Sequence, residues 1–246
     1  MEIVSFVSFK GGAGKTTALE ILCSAILARG RPVALIESDE NAPLGQWRTN
    51  ARKEETWDEA CKIYPGGSPQ LLLESIVAAE ASGVDYLLID TQGGGSELNN
   101  AAIVNSSLVI VPTAITSADI PRCIDTLAFL DELRRAENLE STLLIAILVT
   151  RFPLNLNKSR QESLDKLADF PLFQTIIRER DALAGIEDTG MLHLALSKRA
   201  AISPILATHF RSAMKEAMQL ADEITSILDP GDALPQRNEG SYAARR

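Results

Sequence analysis

Lys10-Gly11-Gly12-Ala13-Gly14-Lys15-Thr16-Thr17 gathers two lysines, three glycines and two adjacent hydroxyls in eight consecutive residues. A phosphate group needs many N–H donors and compensating positive charge in a small volume. Glycines let backbone N–H groups turn inward, the start of a following helix adds partial positive charge, and Lys15 is spaced to reach the outer phosphates of a nucleoside triphosphate. Thr16 sets a hydroxyl where a phosphate-bound Mg²⁺ takes a ligand. The general phosphate-loop pattern carries a glycine six residues before its lysine; Phe9 stands there, and Lys10 adds a second ammonium at the entrance of the loop. A glycine-rich turn with incidental lysines is the competing reading, and it would not explain a β-rich run directly before the loop and a helical period directly after it. The expected ligand is a nucleoside triphosphate with Mg²⁺, cradled by Lys10, Gly11, Gly12, Ala13, Gly14, Lys15, Thr16 and Thr17.

Positioning these groups takes a strand before the loop and a helix after it. Apolar runs predict strands at 3–9, 32–37, 84–90, 107–112, 142–149 and 171–176. Helical periodicity predicts helices at 17–29, 43–53, 69–82, 97–105, 119–136, 158–169 and 203–228. The alternation is that of an α/β protein: a single three-layer domain over residues 1–228, with a mostly parallel sheet and helices on both faces. In the last helix Leu206, Phe210, Ala213, Ala217, Leu220, Ile224 and Ile227 fall on one stripe. Its polar face is mixed in charge, so it reads as a helix packed on the sheet rather than a membrane-binding face. The stretch Glu54–Gly67 is irregular and carries Trp57, Cys61 and Tyr64. It reads as a long connection pinned by its aromatics, with a partner surface as the alternative. From Asp229 to Arg246 no apolar period remains, and a disordered polar tail is expected.

The phosphate site needs a carboxylate at the end of a neighbouring strand. Leu87-Leu88-Ile89-Asp90 supplies one, followed by Thr91-Gln92 and the glycines Gly93, Gly94 and Gly95. A carboxylate ending a buried strand is costly unless it is metal-linked or hydrogen-bonded; a helix cap is the alternative role for Asp90. The glycines suggest a loop that follows the γ-phosphate. The second strand ends in Glu37-Ser38-Asp39-Glu40-Asn41, where open α/β sheets bind ligands. One of these carboxylates is placed to orient an attacking water near Mg²⁺, and Lys10 is the candidate for extra positive charge at the γ-phosphate. Thr150 follows a buried strand and is the candidate contact to the base.

Composition narrows the class. With 246 residues, 46% apolar and 23% charged, the chain suits one large α/β domain. The longest strongly apolar stretch, Leu143–Val149, has the length of a buried strand and not of a membrane span. The N-terminus enters the first strand at once, which leaves no room for a signal peptide, and a cytoplasmic location is expected. Cys23, Cys61 and Cys123 have no paired spacing, which disfavours a disulfide framework, a zinc site and an iron–sulfur cluster. The net charge of −9 is uneven. Residues 1–150 carry 11 basic and 20 acidic side chains, whereas residues 151–215 carry 10 basic and 7 acidic. A local basic patch is compatible with an acidic total; scattered solvated side chains explain the same excess. His193 and His209 have no spacing for a metal and are expected to pack on element faces.

The phosphate loop with its extra lysine, the acidic end of strand two and the Asp90 strand together resemble the ParA/MinD class of deviant-Walker ATPases. The resemblance covers residues 1–228. It implies that Lys10 reaches across a nucleotide-sandwiched homodimer to the partner's ATP, and that Asp39 assists attack by water and belongs to the Mg²⁺ site with Thr16 and Asp90. Lys10, Lys15 and Asp39 are thus the implied catalytic set. The chain departs from the family's D-x-D-P motif at Glu37 and at Glu40-Asn41, and it has Thr91-Gln92-Gly93 where the family has Cys-Pro-Pro. Ser8 to Leu19, Asp39 to Asn41 with Pro43-Leu44, Gly93 to Asn100, and Gly190-Met191-Leu192-His193-Leu194 look like the VirC-type branch. That branch implies weak ATP hydrolysis, double-stranded DNA binding, and assistance to conjugative DNA transfer through relaxosome and secretion-channel coupling proteins, with placement at the cell pole through those partners. In ParA-like dimers basic residues of the C-terminal half meet DNA; the corresponding candidates are Arg178, Arg180, Lys198, Arg199, Arg211 and Lys215. A plasmid partition ATPase and a small-molecule synthetase of the same fold are the competing readings. A cluster-bearing reductase lacks its cysteine pair, a membrane-bound division regulator lacks a basic C-terminal helix, and a GTP switch lacks an Asn-Lys-x-Asp segment.

Overall fold

The computed structural model describes residues 1–39 and 41–228. Six strands form one sheet: β1 (Glu2–Phe6), β2 (Val33–Glu37), β3 (Lys62–Pro65), β4 (Tyr86–Asp90), β5 (Leu108–Thr113) and β6 (Leu144–Val149). Their order is β3-β2-β4-β1-β5-β6, with every pairing parallel. Parallel neighbours require crossover connections, and the helices supply them. These are α1 (Lys15–Ala28), α2 (Pro43–Lys53), α3 (Pro69–Ala81), α4 (Glu97–Val104), α5 (Asp119–Ala136) and α6 (Lys158–Asp165), followed by the short α7 (Asp181–Ala184) and α8 (Ile186–Thr189), then α9 (Leu192–Ile202) and α10 (Thr208–Leu228).

Strand residues alternate between two buried faces. Phe6, Leu35, Leu88, Ile110 and Leu148 pack under α1, α2, α9 and α10. On the other face Val109, Val111 and Ile147 lie under α5 and α6, while Ile36, Leu87 and Ile89 lie under α3 and α4. Covering both faces is why the strands read as nearly continuous apolar runs. The register sets Asp90 beside both Phe6 and Glu37, so the C-terminal ends of β1, β2 and β4 share one edge.

Several boundaries differ from the sequence reading. The first strand stops at Phe6 and not at residue 9, because Ser8 and Phe9 already belong to the loop. The predicted strand at 171–176 is an extended segment joined to β6 by a single bridge, Leu172 to Ile147, and a second single bridge pairs Arg178 with Phe152 beyond the end of β6. The final helix starts at Thr208, which leaves Leu206 outside it and half exposed. Four elements escaped the sequence reading: β3, the short α7 and α8, and α9. β3 lies within the irregular stretch 54–67, and four residues with Lys62 and Pro65 at an edge carry little strand signal. α9 follows Gly190, whose left-handed φ of 85° breaks the chain between two helices. His209 is exposed and does not pack on an element face. The stretch assigned to a polar tail, 229–246, lies outside the described residues.

Candidate nucleotide-binding site

The phosphate loop leaves the C-terminal end of β1 and turns into α1. Gly12 and Gly14 take φ of 71° and 94°, a region open to glycine. No side chain caps α1, so its first N–H groups are left to an anion. The connection after β6 braces the loop from one side. Thr150 Oγ1 donates to the Ala13 carbonyl at 3.1 Å, and the exposed Arg151 guanidinium donates to the Gly12 carbonyl. A Cβ at Gly14 would lie 3.3 Å from Thr150 Oγ1, so the two segments are in close contact.

The carboxylate side of the loop is assembled between α1 and β4. Thr16 Oγ1 donates to Asp90 Oδ2 at 2.7 Å. Burial pushes the Asp90 carboxyl up to about 6, against the pull of Thr16 and of Lys15; nearby Asp39 adds to the rise. Asp90 Oδ1 is buried with no hydrogen-bond partner. A shielded, partnerless carboxylate oxygen beside a hydroxyl fits a hard divalent cation. No group of three or more His, Cys, Asp or Glu suited to a metal occurs among the described residues.

The end of β2 is organised by Glu37. Its Oε2 accepts the Leu44 and Gly45 N–H groups at 2.6 and 3.1 Å, capping α2, where Ala42 offers no side-chain cap. Burial raises the Glu37 carboxyl to about 7, the two N–H bonds opposing the shift. Between Glu37 and α2 sits Asp39, half-buried, with Oδ1 accepting from both the backbone and side-chain nitrogens of Asn41 at 2.9 Å. Ser38 Oγ donates to the Asp90 carbonyl and so ties this loop to β4. The glycine loop after Asp90 is held by Asn99, whose Nδ2 reaches the carbonyls of Gln92 at 3.1 Å and Gly94 at 2.5 Å.

Lys10 lies at the loop entrance, with Nζ paired to the buried carboxylate of Asp119 at the start of α5. Thr116 Oγ1 also donates to Asp119. Lys15, Thr16, Asp39 and Asp90 therefore meet at one edge of the sheet, and Lys10 stands at its border. The basic set is divided. Arg178 and Arg180 turn inward to Glu216 of α10. Lys198 donates to the Glu54 carbonyl at 2.6 Å, Arg199 lies 5.3 Å from the Phe210 ring centre, and Arg211 and Lys215 are exposed on α10. Sequence reasoning missed Asp119, Arg151, Glu37 as a cap, and Glu216. The last left one trace: a glutamate within the apolar stripe of the final helix.

A phosphate loop between the first strand and helix of this parallel sheet gives the chain the fold of ParA/MinD-type P-loop proteins. A chain of the MinC:MinD cell division protein complex of Aquifex aeolicus shares the fold with a TM-score of 0.67 at 15% identity, covering 96% of this chain and 99% of that one. The septum site-determining protein MinD of Pyrococcus horikoshii, complexed with Mg-ADP, gives 0.62 at 19% identity over 93% and 99%. The VirC1 protein family matches residues 1–230. Protein virC1 of Rhizobium rhizogenes is 40% identical over 232 residues, covering 93% of this chain and 100% of that protein. The chain belongs to the VirC1 family.

Proposed function

We propose that this chain is an ATP-dependent dimerising switch with slow ATP hydrolysis, which binds DNA and positions a relaxase–DNA complex for transfer. The observation that carries the reading is the junction of an uncapped α1, the Thr16–Asp90 contact and a second lysine at the entrance of the loop. The Mg-ADP bound to the P. horikoshii relative supports a nucleotide with Mg²⁺ as the ligand.

The α1 N–H groups and Lys15 hold the phosphates, and Thr16 with Asp90 would hold the metal ion, joined by Asp39 through water. The ion, when bound, neutralises charge on the phosphate oxygens. Asp39 orients the attacking water. Lys10 leaves Asp119 and crosses to the nucleotide of a second copy, so dimerisation exchanges one carboxylate partner for the phosphates. Thr150, against Ala13, reaches the base side. Lys198, Arg199, Arg211 and Lys215 meet DNA phosphates, with Arg178 and Arg180 behind them. Relaxosome and coupling proteins are the proposed partners, and the chain's place is cytoplasmic, at the pole through them. No helix among the described residues is long and apolar enough to cross a membrane.

Light scattering of the purified protein tests the switch. ATP with Mg²⁺ should convert monomer to dimer, and Lys10→Ala should abolish the conversion while nucleotide still binds. A Lys10→Ala protein that dimerises like the wild type would overturn the proposal.

A further inference from the structure

One carboxylate far along the chain, Glu216, holds two arginines that stand beside the phosphate loop. Beside the first turn of α1 opens a cavity of about 270 Å³, floored by Gly14, Thr17 and Ala18 and walled by Ile177, Arg178 and Arg180. Both arginines converge on Glu216. Its Oε2 accepts the Arg178 backbone N–H at 3.1 Å and Arg180 Nε at 3.4 Å; its Oε1 accepts Arg178 Nη1 at 3.1 Å and Arg180 Nη2 at 2.5 Å. The Glu216 side chain is only 6% exposed, while Arg178 and Arg180 keep 38% and 17% of their side chains exposed, so the carboxylate is buried behind two guanidinium groups that reach solvent.

We propose that Glu216 is a positioning residue for the base side of the nucleotide site, fixing Arg178 and Arg180 as the wall against which a purine nucleoside rests. The proposal rests on the nucleotide reading above and deepens it. Guanidinium planes fixed from behind present flat faces to a base, and a side chain already ordered loses little freedom when the ligand arrives. The segment that bears the arginines also pairs with the connection that braces the phosphate loop: Phe152 N–H donates to the Ile177 carbonyl at 3.0 Å and Glu179 N–H to the Phe152 carbonyl at 3.0 Å. Glu216 therefore holds one side of the cavity, and Thr150 and Arg151 the other. Seven residues further along α10, Glu223 makes a similar staple, accepting the Gln174 and Thr175 N–H groups at 2.6 and 3.0 Å, but neither of those residues lines the cavity. The two glutamates form an internal control on one helix: both accept backbone N–H groups of the 174–178 segment, and Glu216 alone also holds the two arginine side chains of the wall.

Competition binding with Mg²⁺ on the full chain separates a positioning role from a structural one, using ATP and inorganic tripolyphosphate as competitors of a fluorescent ATP analogue. Glu216→Gln should weaken ATP about tenfold while tripolyphosphate, which meets only the phosphate loop, keeps its wild-type affinity. Glu223→Gln should leave both affinities unchanged. ATP affinity unchanged in Glu216→Gln, or ATP and tripolyphosphate weakened alike, would overturn the role of Glu216 while leaving the nucleotide reading intact. A wild-type protein that binds tripolyphosphate and ATP equally would also overturn it. Failure of the wild type to bind ATP at all would overturn both. Should Glu216→Gln not fold, Arg180→Ala decides by the same split between the two competitors.

Discussion

Glu20 lies wholly inside the protein, one helical turn beyond Thr16 on α1. Burial, then the nearby carboxylates of Asp90, Glu187 and Glu37, hold its carboxyl well above the ordinary 4.5. A folded-state value above the unfolded one means that its contribution to stability is complete below about pH 4.5 and declines as the pH rises toward the raised value. Glu20→Gln keeps the shape and removes the ionisation. Its melting temperature at pH 7.5 should exceed the wild type's by roughly 2–4 °C, about 1 kcal/mol for a domain of this length, with the gain vanishing near pH 4. A gain independent of pH would show that Glu20 is not held as the neutral acid. The same scale shows what the sequence made legible. Thr16 and Asp90 were expected at one metal site and are in contact. The partner of Lys10 was not legible, because Asp119 is 109 residues away and only packing brings them together.

At the scale of elements, glycine positions carry much of the specification. Gly190 joins α8 to α9 at φ 85°, and a Cβ there would lie 2.0 Å from Thr56 Oγ1 and 2.8 Å from the Ala51 Cβ. Thr56 Oγ1 donates to the Thr189 carbonyl at 2.8 Å, so the clash falls on the seam between α2 and α8. Gly190→Ala should cost about 3 kcal/mol or more, from overpacking added to a disfavoured φ. Urea unfolding checks it: the midpoint should fall with the slope unchanged. A midpoint within error of the wild type would mean that the seam relaxes freely. This geometry gives a physical reason for the glycine that opens the Gly190-Met191-Leu192-His193-Leu194 segment. β3 was not legible for the opposite reason: its four residues form an edge strand by pairing with β2, not by any period of their own.

At the scale of the whole molecule the net charge of −9 conceals its distribution. Arg178 and Arg180 are taken up by Glu216, whereas Arg211 and Lys215 project from α10 into solvent. If α10 meets duplex DNA, Arg211→Ala with Lys215→Ala should weaken binding across unrelated sequences and lower the slope of log K against log salt by roughly two. Nucleotide affinity should stay unchanged. A double variant with the wild-type salt slope would move the DNA surface away from this helix. The proposed dimer belongs to the same scale, since the partner proposed for Lys10 lies only in a second copy.

The sequence by itself determined the phosphate loop, the strand that ends in Asp90, the α/β alternation and the family, because each rests on local spacing and on short apolar periods. Tertiary structure alone decided that Asp119 holds Lys10, that Glu37 caps α2, and that Glu216 pairs with two arginines. Those pairings join residues 7 to 109 positions apart, and a buried charge finds its partner through packing in space, which no local pattern records.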